Sequence, residues 1–255
     1  MSRAKLHNVS VLALTDHDTI SGLARARVQA QIEGIDLING IEFSCQWAGR
    51  GIHLVALAFD AVHDEMRELI ESQRKLRLER SNMIAQRMEK LGFCDALARA
   101  QAAAGSTTIG RPHFAAAMVE HGFCVSVEQA FKRYLGAGKP GDVKQIWPEI
   151  GDVIPSIVAS GGVAVLAHPL KYKLTRSKLL RLVDDFTALG GKAIEVVSGT
   201  QRPEDTRDMA RIANKYEIYG SCGSDFHAPL KHWGELGKFA ALPDNVVPVW
   251  RAWEH

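Results

Sequence analysis

The chain has 255 residues, 46% of them hydrophobic and 24% charged, enough for one sizeable globular domain or two small ones. Its 31 Lys and Arg against 29 Asp and Glu leave a formal net charge of +2, which excludes a broadly basic nucleic-acid coat or a polyacidic tail, so any affinity for phosphate must be local. No apolar stretch approaches the ~20 residues of a membrane span, the N-terminus has no signal-peptide pattern, and Cys45, Cys94, Cys124 and Cys222 form no C-x-x-C pair, so a reduced cytoplasmic protein is expected.

Val9–Leu14 reads as a buried strand ending in the polar loop Thr15-Asp16-His17-Asp18. A helix follows, capped by Thr19 or Ser21, with Leu23, Ala26, Ala30 and Ile32 at helical spacing and Gly34 as its stop. A strand over Ile35–Ile41 ends in Glu42, and beyond the turn Ala48–Gly51 a second runs over Ile52–Phe59 with His53 near its start. From His63 to Leu91 apolar residues recur every three or four positions, which predicts a long amphipathic helix. Short helices are expected over Cys94–Ala104, Arg111–Glu120 and Val127–Leu135, the last with Ser126 and Gln129 spaced as a capping box. Residues 63–145 thus read as an all-helical insertion between two parts, 1–62 and 146–255, of an alternating β/α chain. In the second part a helix to Ala159, a strand Val163–Ala167 ending in His168-Pro169, a helix Ser177–Leu189, a strand Ala193–Val197, a helix Pro203–Tyr216 and a strand Ile218–Cys222 lead to Gly223-Ser224-Asp225-Phe226-His227.

Parallel strands alternating with helices gather reactive groups at the carboxyl ends of the strands. Asp16, His17 and Asp18, then Glu42, then His168, then Asp225 with His227 fall at four such ends, and the short turn folds His53 back toward Glu42. Singly, a strand-end His is usually a hydrogen-bonded structural residue. Together they favour a shared site for divalent metals, which activate water and clamp a phosphoryl group, and so a hydrolase. Other signals are weaker. Gly136–Gly141 lacks the Ser or Thr that a phosphate loop needs after Lys139, the charges along the long helix suit a solvated face, and Trp233, Trp250 and Trp253 suit packing of the last segment. Glu195 can orient a ligand or touch substrate.

The ordered motifs Leu14-Thr15-Asp16-His17-Asp18, Gly40-Ile41-Glu42-Phe43-Ser44, His53-Leu54-Val55, Ala167-His168-Pro169 and Gly223-Ser224-Asp225-Phe226-His227 resemble the polymerase and histidinol phosphatase (PHP) superfamily nearly end to end. Gly110-Arg111-Pro112-His113-Phe114 and Tyr134–Gly141 resemble the branch with the 3',5'-nucleoside bisphosphate phosphatases and the 5'-to-3' exoribonuclease RNase AM. The resemblance implies a distorted seven-stranded, TIM-like β/α barrel with an inserted helical subdomain that binds substrate phosphate, and a trinuclear centre, usually manganese, with Zn²⁺, Fe²⁺ or Mg²⁺ as other divalent ions it could take. It implies metal ligands His17, Glu42, His53, His168, Asp225 and His227, with His17, Asp225 and His227 serving catalysis. Arg111 and His113 would hold substrate phosphate, with Lys139 and Tyr172 as weaker candidates; Tyr172 can equally be barrel-mouth lining. A guanidinium binds phosphate through a planar fork, which gives Arg111 a physical reason for its place.

Family members begin with a strand carrying His-x-His and then an Asp in a Ser-Asp-Gly turn, whereas this sequence starts beyond it, and His7, at a helix end, is no substitute. The expectation is a start codon placed too late or a shortened, catalytically weak or inactive relative that lacks one strand and three ligands. The expected function is hydrolysis of a nucleotide phosphate monoester such as a 3',5'-nucleoside bisphosphate, or action on RNA 5' ends, with small nucleotides or short RNA as partners and neither membrane nor stable DNA complex. The alternatives are a degenerate PHP domain that binds nucleotide or a partner protein without turnover, and a histidinol-phosphate phosphatase, which the helical insertion disfavours.

Overall fold

The computed structural model describes residues 1–105, 107–143, 146–227 and 234–254. In chain order the elements are α1 (Ser2–Leu6), β1 (Val11–Leu14), α2 (Leu23–Glu33), β2 (Asp36–Trp47), β3 (Arg50–Leu57), α3 (Asp64–Glu89), α4 (Ala96–Ala104), α5 (Arg111–Glu120), α6 (Val127–Ala130), α7 (Ile150–Ala159), β4 (Val163–Leu166), α8 (Arg176–Ala188), β5 (Ala193–Ser198), α9 (Pro203–Lys215) and β6 (Tyr219–Gly223). They fall into two compact units, Met1–Ile70 with Pro148–His255 and Glu71–Trp147.

The first unit is built on a six-stranded sheet in the order β1-β2-β3-β4-β5-β6. The sheet is mixed, which corrects the expectation of parallel strands: β2–β3 and β3–β4 are antiparallel, while β1–β2, β4–β5 and β5–β6 are parallel. Glu42 does not end a strand. β2 continues through it to Trp47, pairing Glu42 with Val55 and Ser44 with His53 across a tight hairpin. Gly40 is required where β1 meets β2, because a Cβ there would lie 2.7 Å from the Leu14 carbonyl oxygen. α2 begins after Gly22 without a side-chain cap, so neither Thr19 nor Ser21 caps it; it ends as expected on left-handed Gly34, and Ile32 is exposed rather than packed.

Period-two alternation gives the sheet two different faces. One carries Ile41, Phe43, Ile52, Leu54, Leu166 and Ile194, fully buried with Ile154, Ile157, Val183, Phe186 and Met209 of α7, α8 and α9 in the main core. Each such side chain removed from water contributes roughly 1.5–3 kcal/mol. The opposite face is apolar at one end, where Val55, Leu57, Val163, Val165 and Ala193 cluster with Val249. Pairing puts Glu42, Ser44, His53 and Glu195 on that same face. Half-buried Trp253 packs on this second cluster, Trp250 is exposed, and Trp233 lies outside the described residues.

In the second unit, Ile84, Met88, Phe93, Phe114 and Met118 are buried in a core of their own. Its edge falls inside α3 rather than at the start of that helix, because Met66, Leu69 and Ile70 pack on the first unit's core. The expected helix over Val127–Leu135 is one turn of α-helix followed by a π-helical turn over Phe131–Leu135; Ser126 Oγ accepts the Gln129 N–H at 3.1 Å. No helix among the described residues is long and apolar enough to cross a membrane.

Candidate metal centre

Four of the expected ligands meet on the polar end of the sheet face. Beyond β1 the chain runs on beside β2, and an isolated parallel bridge joins His17 to Glu42. Asp18 fixes this segment. Its N–H donates to the Glu42 carbonyl at 2.9 Å, and its buried carboxylate accepts the Ser44 N–H at 2.6 Å and the Ser44 hydroxyl at 2.8 Å. The residue takes a positive φ of 56°, a conformation that Asp tolerates better than most residues. Short charge-assisted bonds of this kind contribute about 1.5–3 kcal/mol each.

Glu42 Oε1 lies 2.8 Å from His53 Nδ1 and 2.9 Å from His168 Nε2, and those two nitrogens are 3.1 Å apart. Glu42 Oε2 is 3.5 Å from His17 Nδ1. Only shared protons or a cation hold electron-rich atoms so close. Donor atoms bound at right angles 2.0–2.2 Å from one ion would be about 2.8–3.1 Å apart, so the triangle has the dimensions of part of an octahedral shell. One donor atom each from His17, Glu42 and His53 also lies within 4.8 Å of the others. Imidazole with carboxylate suits Zn²⁺, Mn²⁺ and Fe²⁺, so the residues present fit a divalent metal.

Electrostatics agree with the geometry. Burial alone would raise the Glu42 carboxyl, but the charges of His17 and His53 and the bonds from His168 and His53 hold it well below the usual carboxylate range. Burial likewise works to lower His168, and the hydrogen bond and charge of Glu42 overcome it and raise the imidazole. Glu195 behaves oppositely: burial raises it to about 7, although His168 donates its backbone N–H to Glu195 Oε2 at 2.5 Å. That bond secures His168 at a φ of 27°, a strained turn two residues beyond the end of β4. A register shift just past Glu195 lets both Val196 and Val197 enter the main core while Glu195 stays on the site face.

The Tyr172 hydroxyl is held by backbone groups. It accepts the His53 N–H at 2.9 Å and donates to the Ala167 carbonyl at 2.6 Å, bracing the two segments that carry His53 and His168, and burial pushes its pKa well above the usual phenol value. The ring of His227 lies 5.7 Å from that of His17. Its Nδ1 donates to the Asp225 carbonyl at 2.9 Å, which places the lone pair on Nε2 in the neutral ring. The Asp225 carboxylate is paired with the ammonium of Lys171.

The remaining expected residues belong to the second unit. Arg111 opens α5, with its guanidinium 3.2 Å from the Leu135 carbonyl and 3.7 Å from Asp142. His113 Nδ1 accepts the Gly110 N–H at 3.0 Å, and burial followed by the charge of Arg77 lowers its pKa. Lys139 is exposed in the loop that follows the π-helical turn. Three supports were beyond sequence reasoning: the Asp18–Ser44 clamp, the Tyr172 brace and the Lys171–Asp225 pair. Only Asp18 carried a signal, as a small acidic residue in a polar loop beside a candidate ligand.

No protein-family model matches the chain. It is 44% identical over 248 residues to a 5'-3' exoribonuclease of Haemophilus influenzae, an alignment covering 97% of this chain and 90% of that protein. It is 36% identical over 255 residues to a 3',5'-nucleoside bisphosphate phosphatase of Chromobacterium violaceum, covering 100% and 90%. Among solved structures, an amidohydrolase from Chromobacterium violaceum with bound sulfate and no metal superposes with a TM-score of 0.89 at 37% identity, over 98% of this chain and 87% of that one. A metal-dependent phosphoesterase from Bifidobacterium adolescentis superposes with a TM-score of 0.79 at 26% identity, over 97% and 85%.

Proposed function

The chain belongs to the PHP family of metal-dependent phosphoesterases, in the branch of the 5'-3' exoribonucleases and 3',5'-nucleoside bisphosphate phosphatases, and from that membership we propose that it hydrolyses a nucleotide phosphate ester, either of a 3',5'-nucleoside bisphosphate or at the 5' end of short RNA. The observation that carries this reading is the triangle of Glu42, His53 and His168 with His17 beside it. We assign these four residues, with Asp225 and His227, to holding divalent ions, manganese first among them. Such ions, when bound, polarise phosphoryl oxygens and make water a nucleophile near neutral pH.

The chain's own residues supply position and charge. Glu42 and the imidazoles gather donors without the reorganisation an open loop would need, because strand pairing, Asp18, Glu195 and Tyr172 already hold them. His17, Asp225 and His227 are assigned the face where the ester is cleaved; His227 Nε2, with Nδ1 tied to the Asp225 carbonyl, can accept or ligate but cannot donate in its neutral form. Arg111 and His113 are assigned to the phosphate that is not cleaved, with Lys139 as a further cation. All four cysteines are free thiols, which suits the reducing cytoplasm where we place the protein.

The test is phosphate release from a 3',5'-nucleoside bisphosphate by the full chain with Mn²⁺, with a chelator, and after Glu42→Gln. The expected result is turnover with Mn²⁺ and its loss in the other two. Undiminished release in the presence of chelator would overturn the reading.

A further inference from the structure

The face of the centre beyond His168 opens into a cleft of about 410 Å³. It is lined by His168, Lys171, Glu195, Gln201, Arg202 and Asp205 among others, so substrate held at the metal-ligand cluster would extend along it. Most of its polar groups are already committed. Gln201 donates to the Val196 carbonyl at 2.6 Å and to Thr206 Oγ1 at 2.8 Å while its own oxygen accepts the Ser198 N–H at 3.1 Å. Arg202 is held by both oxygens of Asp205, at 2.9 and 3.0 Å.

Lys171 differs from these. It projects from the short 3₁₀ turn Pro169–Tyr172, and its ammonium, with the side chain 53% exposed, rests on the carboxylate of Asp225. Asp225 is one of the residues assigned to hold a divalent ion, and an ion bound there would neutralise that carboxylate and repel the ammonium. Lys171 would then keep its charge in the lining of a cleft whose Arg202 is held by Asp205. An ammonium on a long, exposed stem reorients at little cost, and a phosphate oxygen is the partner its chemistry favours.

We propose that Lys171 is a phosphate-binding residue of this centre, which neutralises Asp225 in the metal-free protein and transfers its ammonium to substrate phosphate when a divalent ion takes over that carboxylate. This rests on the reading that Asp225 is a ligand and that the substrate carries phosphate.

The experiment measures two affinities by calorimetry on the full chain, Mn²⁺ for metal-free protein and inorganic phosphate for Mn²⁺-loaded protein, in wild type, Lys171→Met, Lys171→Gln and Lys171→Arg. The expected result has opposite signs. Met and Gln variants bind Mn²⁺ at least as tightly as wild type, since no ammonium competes at Asp225, while phosphate binding weakens about tenfold to a hundredfold. Lys171→Arg keeps phosphate affinity within a few-fold. Phosphate affinity within twofold of wild type in both neutral variants overturns the proposal, as does a parallel loss of Mn²⁺ and phosphate affinity, the outcome of a merely structural ion pair. Should wild type bind phosphate through Lys171 yet leave 3',5'-bisphosphates intact, the proposed function fails and this inference stands.

Discussion

The two sides of the centre are built differently. On the β1–β2–β3 side, Glu42 is buried and ringed by three imidazoles, and the donors are set by strand register and by the Asp18 clamp. On the β5–β6 side, half-buried Glu195 accepts a backbone N–H, and Asp225 with His227 lies beyond the last strand with its charge balanced by an exposed lysine. Two carboxylates on one sheet face are thereby driven apart. Glu42 is held ionised well below the usual range, and Glu195 is raised to about 7. The lesson is that a carboxylate's neighbours, more than its burial, decide whether it serves as a permanent negative ligand or as a support that can take a proton.

The most severe way to break this contrast is to neutralise each side in turn. Glu42→Gln removes the shared oxygen of the triangle, and turnover should fall by at least about a thousandfold with loss of bound metal. Asp225→Asn should cost less, about a hundredfold, and leave thermal stability nearly unchanged because its partner is exposed. Metal analysis and kinetics on both variants check the order, and equal losses would erase the distinction. His168→Ala tests whether the triangle binds as a unit: metal content should drop, and full occupancy would remove His168 from the ligand set.

Arg111→Ala sharpens the comparison from outside it. Loss of the charge-assisted phosphate contact proposed for this guanidinium should weaken bisphosphate binding by about 1.5–3 kcal/mol, roughly tenfold to somewhat over a hundredfold, with metal content unchanged. Wild-type kinetics for this variant would remove it from substrate binding.

The smallest effect is a pH dependence of metal-free stability. Glu195 is raised in the folded chain, so the folded state holds its proton more tightly than the unfolded state does. The stability this contributes is complete below about pH 4.5 and is lost as pH rises toward about 7, by up to about 3 kcal/mol. Glu42, lowered on folding, works in the opposite direction and loses its contribution as pH falls. Denaturant unfolding of Glu195→Gln at pH 5 and pH 8 should show a gain relative to wild type at the higher pH, and an unchanged difference would show that Glu195 does not titrate there.

Much of this was legible in the sequence, and the failures have physical reasons. Helices α5, α7 and α9 fall within a residue or two of expectation, because their apolar spacing and flanking residues are strong local signals. A carboxylate normally stops an apolar run, yet β2 continues through Glu42 because three histidines distant in sequence satisfy it. The β3–β4 pairing spans the whole segment between them, and no local pattern encodes it. The motif residues of the centre were nameable from their types and order. The Tyr172 hydroxyl bonds to backbone groups of His53 and Ala167, a brace that no side-chain pattern reveals.

Glu42, His53 and His168 are proposed to share one divalent ion. Anomalous diffraction from crystals of the full chain grown with Mn²⁺ tests it most directly. The expected result is a manganese peak about 2.0–2.2 Å from a Glu42 carboxylate oxygen and from one nitrogen each of His53 and His168. Manganese bound elsewhere, with the Glu42–His168 hydrogen bond intact at 2.9 Å, would contradict it.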